Sequence, residues 1–485
     1  GAVIIISIAL TYVELGSMFP ESGGMSRYAQ YSHGPLLGFI AAWANWISLV
    51  TLVPMEAVAA VQYMSSWPWS WANWTKNFIK NGDITFEGIG VVFIFMLIFT
   101  MINFWSVKIM THFTNLISIF KILLPTLTIV TLICSGFHEH NFGTNIHEFM
   151  PYGSRSIFEA TSVSGIIMSY DAFQTIINMG GELKNPRKNI VRGVLISMLI
   201  TAAIYIMLQV TFIGAVEPSM LAKVGWHGID FTSPFADLAI LMGINWLVIL
   251  LYLDAFVSPF GTGVAFVATA SRALAAMTHT RHLPKWLGRI NQKYMIPRYA
   301  MATDLILAVI LVSLFRNWNL LATVITASTL IAYLTGPVTV MTLRKIRPDL
   351  ARPFKPRYMP WLAPIAFVLT SLAIYWSMWP TTIQVILVIA LGLPIYFYYE
   401  IRYQHSDLKK QLHNCWWMIG YLIFMSFMSY IGSNGFGGQN WIKYPFDFVV
   451  IIVVSLLFYY WGVKSGRDQL DPYAEHIVQN KNKQK

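Results

Sequence analysis

Five ionisable residues stand inside otherwise apolar stretches: Glu14, Glu56, Lys121, Asp171 and Asp254. At mid-membrane depth such a charge costs about 2.5 to 3.5 kcal/mol on insertion scales, so it faces a partner or a wet cavity and commonly marks a path for solute or ions. Asp171 has polar neighbours. Ser169, Tyr170 and Asp171 interrupt the apolar run FEATSVSGIIMSYDAFQTIINMGGELKNP, from Phe158 to Pro186, and Gly180-Gly181-Glu182 ends it. The pattern predicts a broken helix, one half before Tyr170 and one after Phe173, whose freed backbone groups line a site rather than lipid. The plainer alternative is a continuous helix with Asp171 against a buried polar partner. Asp254 precedes Ser258 by four residues, so both share one helical face. Ser258, Gly261, Thr262 and Gly263 permit close helix packing and also supply oxygens, and the two uses are compatible. Lys121 lies five residues in from Leu116. Its ammonium either snorkels to the near headgroups or points into the bundle, where it can exchange a proton.

These groups need helices to hold them. The chain has 485 residues, 56% hydrophobic and 11% charged, with a mean hydropathy of +0.56. Soluble domains carry roughly 25% charge, so the composition indicates an all-α polytopic membrane protein. Thirteen apolar segments are each long enough to cross about 30 Å of hydrocarbon. Most of the 33 lysines and arginines fall in alternate loops. The net charge of +11 therefore reads as a positive-inside pattern and not as a nucleic-acid surface. On this rule the basic loops and the C-terminus are cytoplasmic, in a plasma (inner) membrane, and Gly1 lies outside with a preceding crossing expected. Trp67, Trp69, Trp71 and Trp74 suit an interface belt. The outward stretch from Glu217 to Asn245 has room for a short lid helix. Residues 344–399 read as a transmembrane hairpin turning at Pro380, 400–463 as two additional helices, and 464–485 as a charged tail.

Several chemistries are absent from the pattern. The sequence has no Walker loop, no G-x-S-x-G elbow and no H-E-x-x-H helix. Its 11 histidines show no metal-ligand spacing, and Cys134 and Cys415 fall in separate segments. No catalytic residue, metal or cofactor is expected. A discontinuous helix at the midplane favours a carrier over a channel.

Longer runs carry a resemblance. TYVELGSMFPESGGMSRYAQYSHG, NMGGELKNPRKNI and ATASRALAAM followed by LPKWLGRIN resemble inner helix ends of the amino acid–polyamine–organocation superfamily. WANWISLVTLVPMEAVAAVQYMSSWPW, FADLAILMGINWLVILLYLDAFVSP and TLIAYLTGPVTVMTLR look like its aspartate–proton symporter subgroup. The resemblance implies a five-plus-five inverted repeat, leucine-transporter-like, over a core at 1–343. The family's Gly-rich opening helix has no counterpart here, so the expected bundle lacks its first helix. Either the chain is trimmed or the product is a non-transporting remnant or sensor. The resemblance further implies that Ser169, Tyr170, Asp171, Ala172 and Phe173 offer carbonyls to a substrate amino group. It implies that Lys121 takes the place of a sodium ion, near oxygens of Ser258 and Thr262. The implied activity is symport of an amino acid, aspartate or a relative, with a proton; exchange of two amino acids is the alternative. A carboxylate at Asp171 is expected to favour a cationic or neutral substrate.

Overall fold

The computed structural model describes residues 1–467 other than 22, 106, 182, 232, 279–282, 292, 295 and 404–407, with side chains described outside 105–116. Glu182, Arg281 and nearly all of the 464–485 tail therefore lie outside the described residues.

The chain is helical nearly throughout. It opens with α1 (Ala2–Met18), α2 (Met25–His33) and α3 (Pro35–Ser65), Pro35 sitting in the first turn, where its missing N–H leaves no bond unmade. A tryptophan-rich 3-10 turn (Ser70–Phe78) follows. β1 (Ile79–Lys80) and β2 (Asp83–Ile84) then pair as a small antiparallel hairpin, an element the sequence reading lacks. Next come α4 (Phe86–Trp105), α5 (Val107–Ser135), α6 (Ile146–Phe149), α7 (Gly153–Val163), α8 (Phe173–Asn178) and α9 (Pro186–Ala215). Two short helices, α10 (Pro218–Val224) and α11 (Pro234–Leu241), occupy the stretch read as having room for one lid. The rest is α12 (Asn245–Met277), α13 (Arg298–Leu314), α14 (Trp318–Tyr333), α15 (Thr335–Ile346), α16 (Met359–Tyr375), α17 (Thr381–Ala390), α18 (Gly392–Tyr403), α19 (Leu408–Ile431) and α20 (Phe446–Lys464).

Among the described residues eight helices are long and apolar enough to cross a membrane: α3, α4, α5, α9, α12, α14 with α15, α17 with α18, and α20. α1 and α16 are apolar but shorter. The protein is a multi-pass membrane protein. α3 and the α14–α15 pair are enclosed by protein on nearly all sides, while α9 and α20 turn most of their surface outward. This sorts the bundle into a protein-enclosed centre and an apolar periphery that suits lipid. At the centre α3 packs on α2, α12 and α14, and Ser48 and Thr329 share a 2.5 Å hydrogen bond.

Two polar knots tie the periphery to this centre. Glu14 on α1 is fully buried and accepts from Arg344 Nε (2.8 Å) and Nη2 (2.5 Å), with Arg352 Nε at 3.5 Å. His33, at the end of α2, hydrogen-bonds through Nε2 to the carbonyl of Gly462 on α20 (2.9 Å). Asn414 of α19 donates to the His33 carbonyl (3.2 Å).

The segment from Phe158 is interrupted, though earlier than the residues suggested. α7 stops at Val163, before Tyr170, and the chain turns through Ser164 and Gly165. Gly165 has φ +75°, a left-handed conformation an L side chain resists. A 3-10 turn, Met168–Tyr170, follows, and α8 resumes at Phe173 for six residues. Glycine at 165, and not the polar triplet, sets where the first half ends.

Candidate functional site

Lys121 sits midway along α5. One turn later Pro125 cannot donate to the Lys121 carbonyl, so the helix is loosened there. The ammonium does not snorkel: it donates to Thr262 Oγ1 on α12. Thr262 in turn donates to the main-chain carbonyl of Ser258 (3.1 Å), so Ser258 enters the site through its backbone. Two glycines make this approach possible. A Cβ on Gly261 would lie 2.6 Å from Ile117 of α5, and one on Gly263 would lie 2.4 Å from the Phe99 ring of α4. The small residues flanking Thr262 thus serve packing, and the packing delivers the lysine to the hydroxyl. Glu56 of α3 and Asp254 of α12 lie within electrostatic reach of the ammonium, so one cation is set among two carboxylates. Lys121 also lines a groove of about 700 Å³ between α5 and α9, with Asn189, Arg192, Ser197 and Tyr205.

The unwound stretch has two faces. Ala172 is exposed and Ser169 half-buried, and the Ser169 carbonyl accepts from Tyr205 of α9 at 3.4 Å. Tyr170, Asp171 and Phe173 turn inward. The Tyr170 ring meets Tyr205 edge-on at 5.4 Å, and Phe173 lies between Tyr333 (5.3 Å) and Tyr12 (6.5 Å). Asp171 is only 3% exposed and faces Thr329 and Tyr333 of α14. Their hydroxyls stop short of hydrogen-bond geometry, so both Asp171 oxygens lack a bonded partner, as does the side chain of Gln174 one turn on.

The structure therefore brings Lys121, Thr262 and the Ser258 carbonyl together. It separates the five residues of the break into an open pair and a buried trio. The Asp171 carboxylate faces Thr329 and Tyr333 of α14. Glu56 and Asp254 join Lys121; the sequence marked Glu56 only as a charge in an apolar run and set Asp254 on one helical face with Ser258. Tyr205 and Tyr333 had no signal: aromatic residues are too common here to single two out. The exposed face of the turn at Ser169 and Ala172, with a half-buried lysine set among two carboxylates, can meet a small polar solute and pass a proton.

The sequence matches the amino acid permease family over residues 1–387. It is 49% identical to the glutamate/serine transporter AimA of Bacillus subtilis, over 96% of this chain and 86% of that protein. It is 33% identical to the aspartate-proton symporter of the same organism, over 96% and 88%. A branched-chain amino acid permease, BcaP, is 24% identical over 84% and 86%. These relatives are transporters and not enzymes. With a broken helix, a half-buried lysine and a family match over most of its length, the chain belongs to the amino acid permeases of the amino acid–polyamine–organocation superfamily.

Proposed function

We propose that this amino acid transporter couples uptake of a small polar or acidic amino acid to entry of a proton. Glutamate, serine and aspartate are the candidates that its relatives' names supply. Lys121 is the coupling group, with Thr262 and the Ser258 carbonyl as its oxygen partners. The main chain of Ser169–Phe173 holds the substrate, and Asp171 acts from behind through α14. The observation that carries this reading is the Lys121 ammonium on Thr262, beside Glu56 and Asp254.

The same reading extends to architecture. Thirteen crossings make up the chain: an inverted-repeat core lacking its first helix over 1–343, a hairpin at 344–399 and two further helices at 400–463. The lysine- and arginine-rich loops face the cytoplasm across the cell membrane, in line with their alternation along the chain.

The test is uptake of labelled glutamate, serine and aspartate into proteoliposomes with an imposed pH gradient. Acid outside should accelerate uptake of at least one of them. Lys121→Met should abolish the acceleration. Uptake indifferent to the gradient, with counterflow from preloaded vesicles intact, would instead make the protein an exchanger.

A further inference from the structure

Asp254 has no place in the proposal above beyond proximity to Lys121, yet its surroundings are built. It borders a cavity of about 170 Å³ lined by Tyr63, Thr128, Ser233, Phe235 and Tyr252. That is room for several waters, with hydroxyls to hold them. The roof is pinned. Ser66 and Ser233 share a 2.6 Å hydrogen bond, and Tyr252 donates to the Ser66 carbonyl (3.1 Å). Asp237 accepts from the Ser233 amide (2.9 Å) and so fixes the start of α11, which lies over α12. Trp69 packs edge-on against Tyr252 at 5.7 Å, which places the cavity at the tryptophan-rich face.

The floor is Asp254, whose Oδ1 is buried without a hydrogen-bond partner. From there α12 runs one turn to Ser258 and a second to Thr262, a rise of about 12 Å. The Lys121 side chain spans part of that distance. On its other side Lys121 meets the α5–α9 groove, which reaches Asn189 and Arg192 at the basic end of α9. The lysine thus stands between two polar spaces, one toward each face.

We infer that the cavity beneath α11 is a hydrated proton vestibule and that Asp254 relays protons between it and Lys121. This rests on the coupling role proposed for Lys121. The step balances: the Asp254 carboxyl gives its proton to the neutral Lys121 amine, directly or through one water, leaving a carboxylate beside an ammonium. A hydronium ion reaching the vestibule then re-protonates the Asp254 carboxylate and is left as water. Other charged and titratable groups surround Asp254. Tyr63 of α3 and Lys121 of α5 interact with it electrostatically, Glu56 reaches the same ammonium from α3, Asp237 of α11 reaches Tyr63 and Tyr252, and Tyr252 shares the helix of Asp254. Among the other helices packed on α12, α4 has Glu87 exposed at its start. On α13 Asp304 accepts from Trp46 and Arg298 stacks on Phe104.

The test compares Asp254→Asn, Asp254→Glu and Ala236→Met in proteoliposomes, with substrate-induced thermal stabilisation confirming a folded protein. Ala236 lines the cavity, so the larger side chain fills it and leaves the carboxylate in place. Asp254→Asn should cut gradient-driven uptake roughly tenfold or more, flatten its dependence on external pH, and depress counterflow less. Asp254→Glu should recover the pH dependence, and Ala236→Met should reproduce the flattened profile. A coupled wild type whose Asp254→Asn form keeps the same pH profile would overturn the relay alone. So would equal losses of driven uptake and counterflow, which would make Asp254 a mere counter-charge. Wild-type uptake blind to the gradient would remove both the coupling role of Lys121 and the relay.

Discussion

At the scale of single residues, polar groups in this bundle differ by what meets them. Thr262 meets a cation. Thr262→Val keeps the shape and removes the acceptor, so gradient-driven uptake should fall roughly tenfold, the worth of one charge-assisted hydrogen bond. Thr262→Ser should keep most of it, as initial rates at fixed gradient will show. Glu14 meets two guanidiniums while fully buried. Glu14→Ala strands those charges and should cost about 3–5 kcal/mol. The check is the thermal midpoint in detergent, where a midpoint equal to wild type would remove the anchoring role. The sequence made Glu14 and Lys121 conspicuous, because a charge in an apolar run is rare. It did not say which way each side chain points. α4 and α5 are apolar all round, so no periodicity marks an inner face. Lys121 could have reached a headgroup or a hydroxyl. Asp171 is conspicuous in the sequence and its carboxylate faces α14, an orientation set by a short 3-10 turn that spacing cannot foretell.

At the scale of elements, the distance between α12 and its neighbours decides whether the lysine reaches its partner. A Cβ on Gly263 would meet Phe99 at 2.4 Å, whereas one on Gly90 of α4 meets nothing within 4 Å. Gly263→Ala should therefore destabilise by about 1–3 kcal/mol and weaken gradient coupling. Gly90→Ala, on an exposed helix surface, should be neutral or stabilising by up to about 1 kcal/mol. Paired melting curves and uptake assays check both. The break before α8 was legible as a break because apolar continuity fails there. Its position was not, because Gly165 acts through a backbone angle and the eye goes to Asp171. The lid region was legible as polar length alone; its two helices both start at a proline, Pro218 and Pro234.

At the scale of the molecule, the last two helices are part of the body of the protein. α20 packs on α15 and α16, α19 on α3, and His33 bridges to Gly462. A chain ending at Tyr403 would leave His33, buried at 1% exposure, without that carbonyl. It should express as aggregated or degraded protein, read by size-exclusion chromatography of a fluorescent fusion; a monodisperse peak would refute the dependence. Nothing in the sequence announced this docking, since a histidine at a loop end is commonplace. The overall class was legible from composition, because hydrocarbon tolerates few arrangements of a polar backbone.

The Glu14–Arg344–Arg352 knot has one more consequence. It fastens α1 to the end of α15 and the loop beyond, and Arg352 also donates to the carbonyls of Leu343 and Arg347. That corner behaves as a clamped block. Any rocking that opens one side of the protein and shuts the other must then be absorbed where helices are already slack: at Pro125, at Pro259, at Leu334 between α14 and α15, and in the turn after Val163. Pro125 lies one turn from the lysine and Pro259 three residues before Thr262, so two of those slack points sit on the very helices that carry Lys121 and its partner hydroxyl.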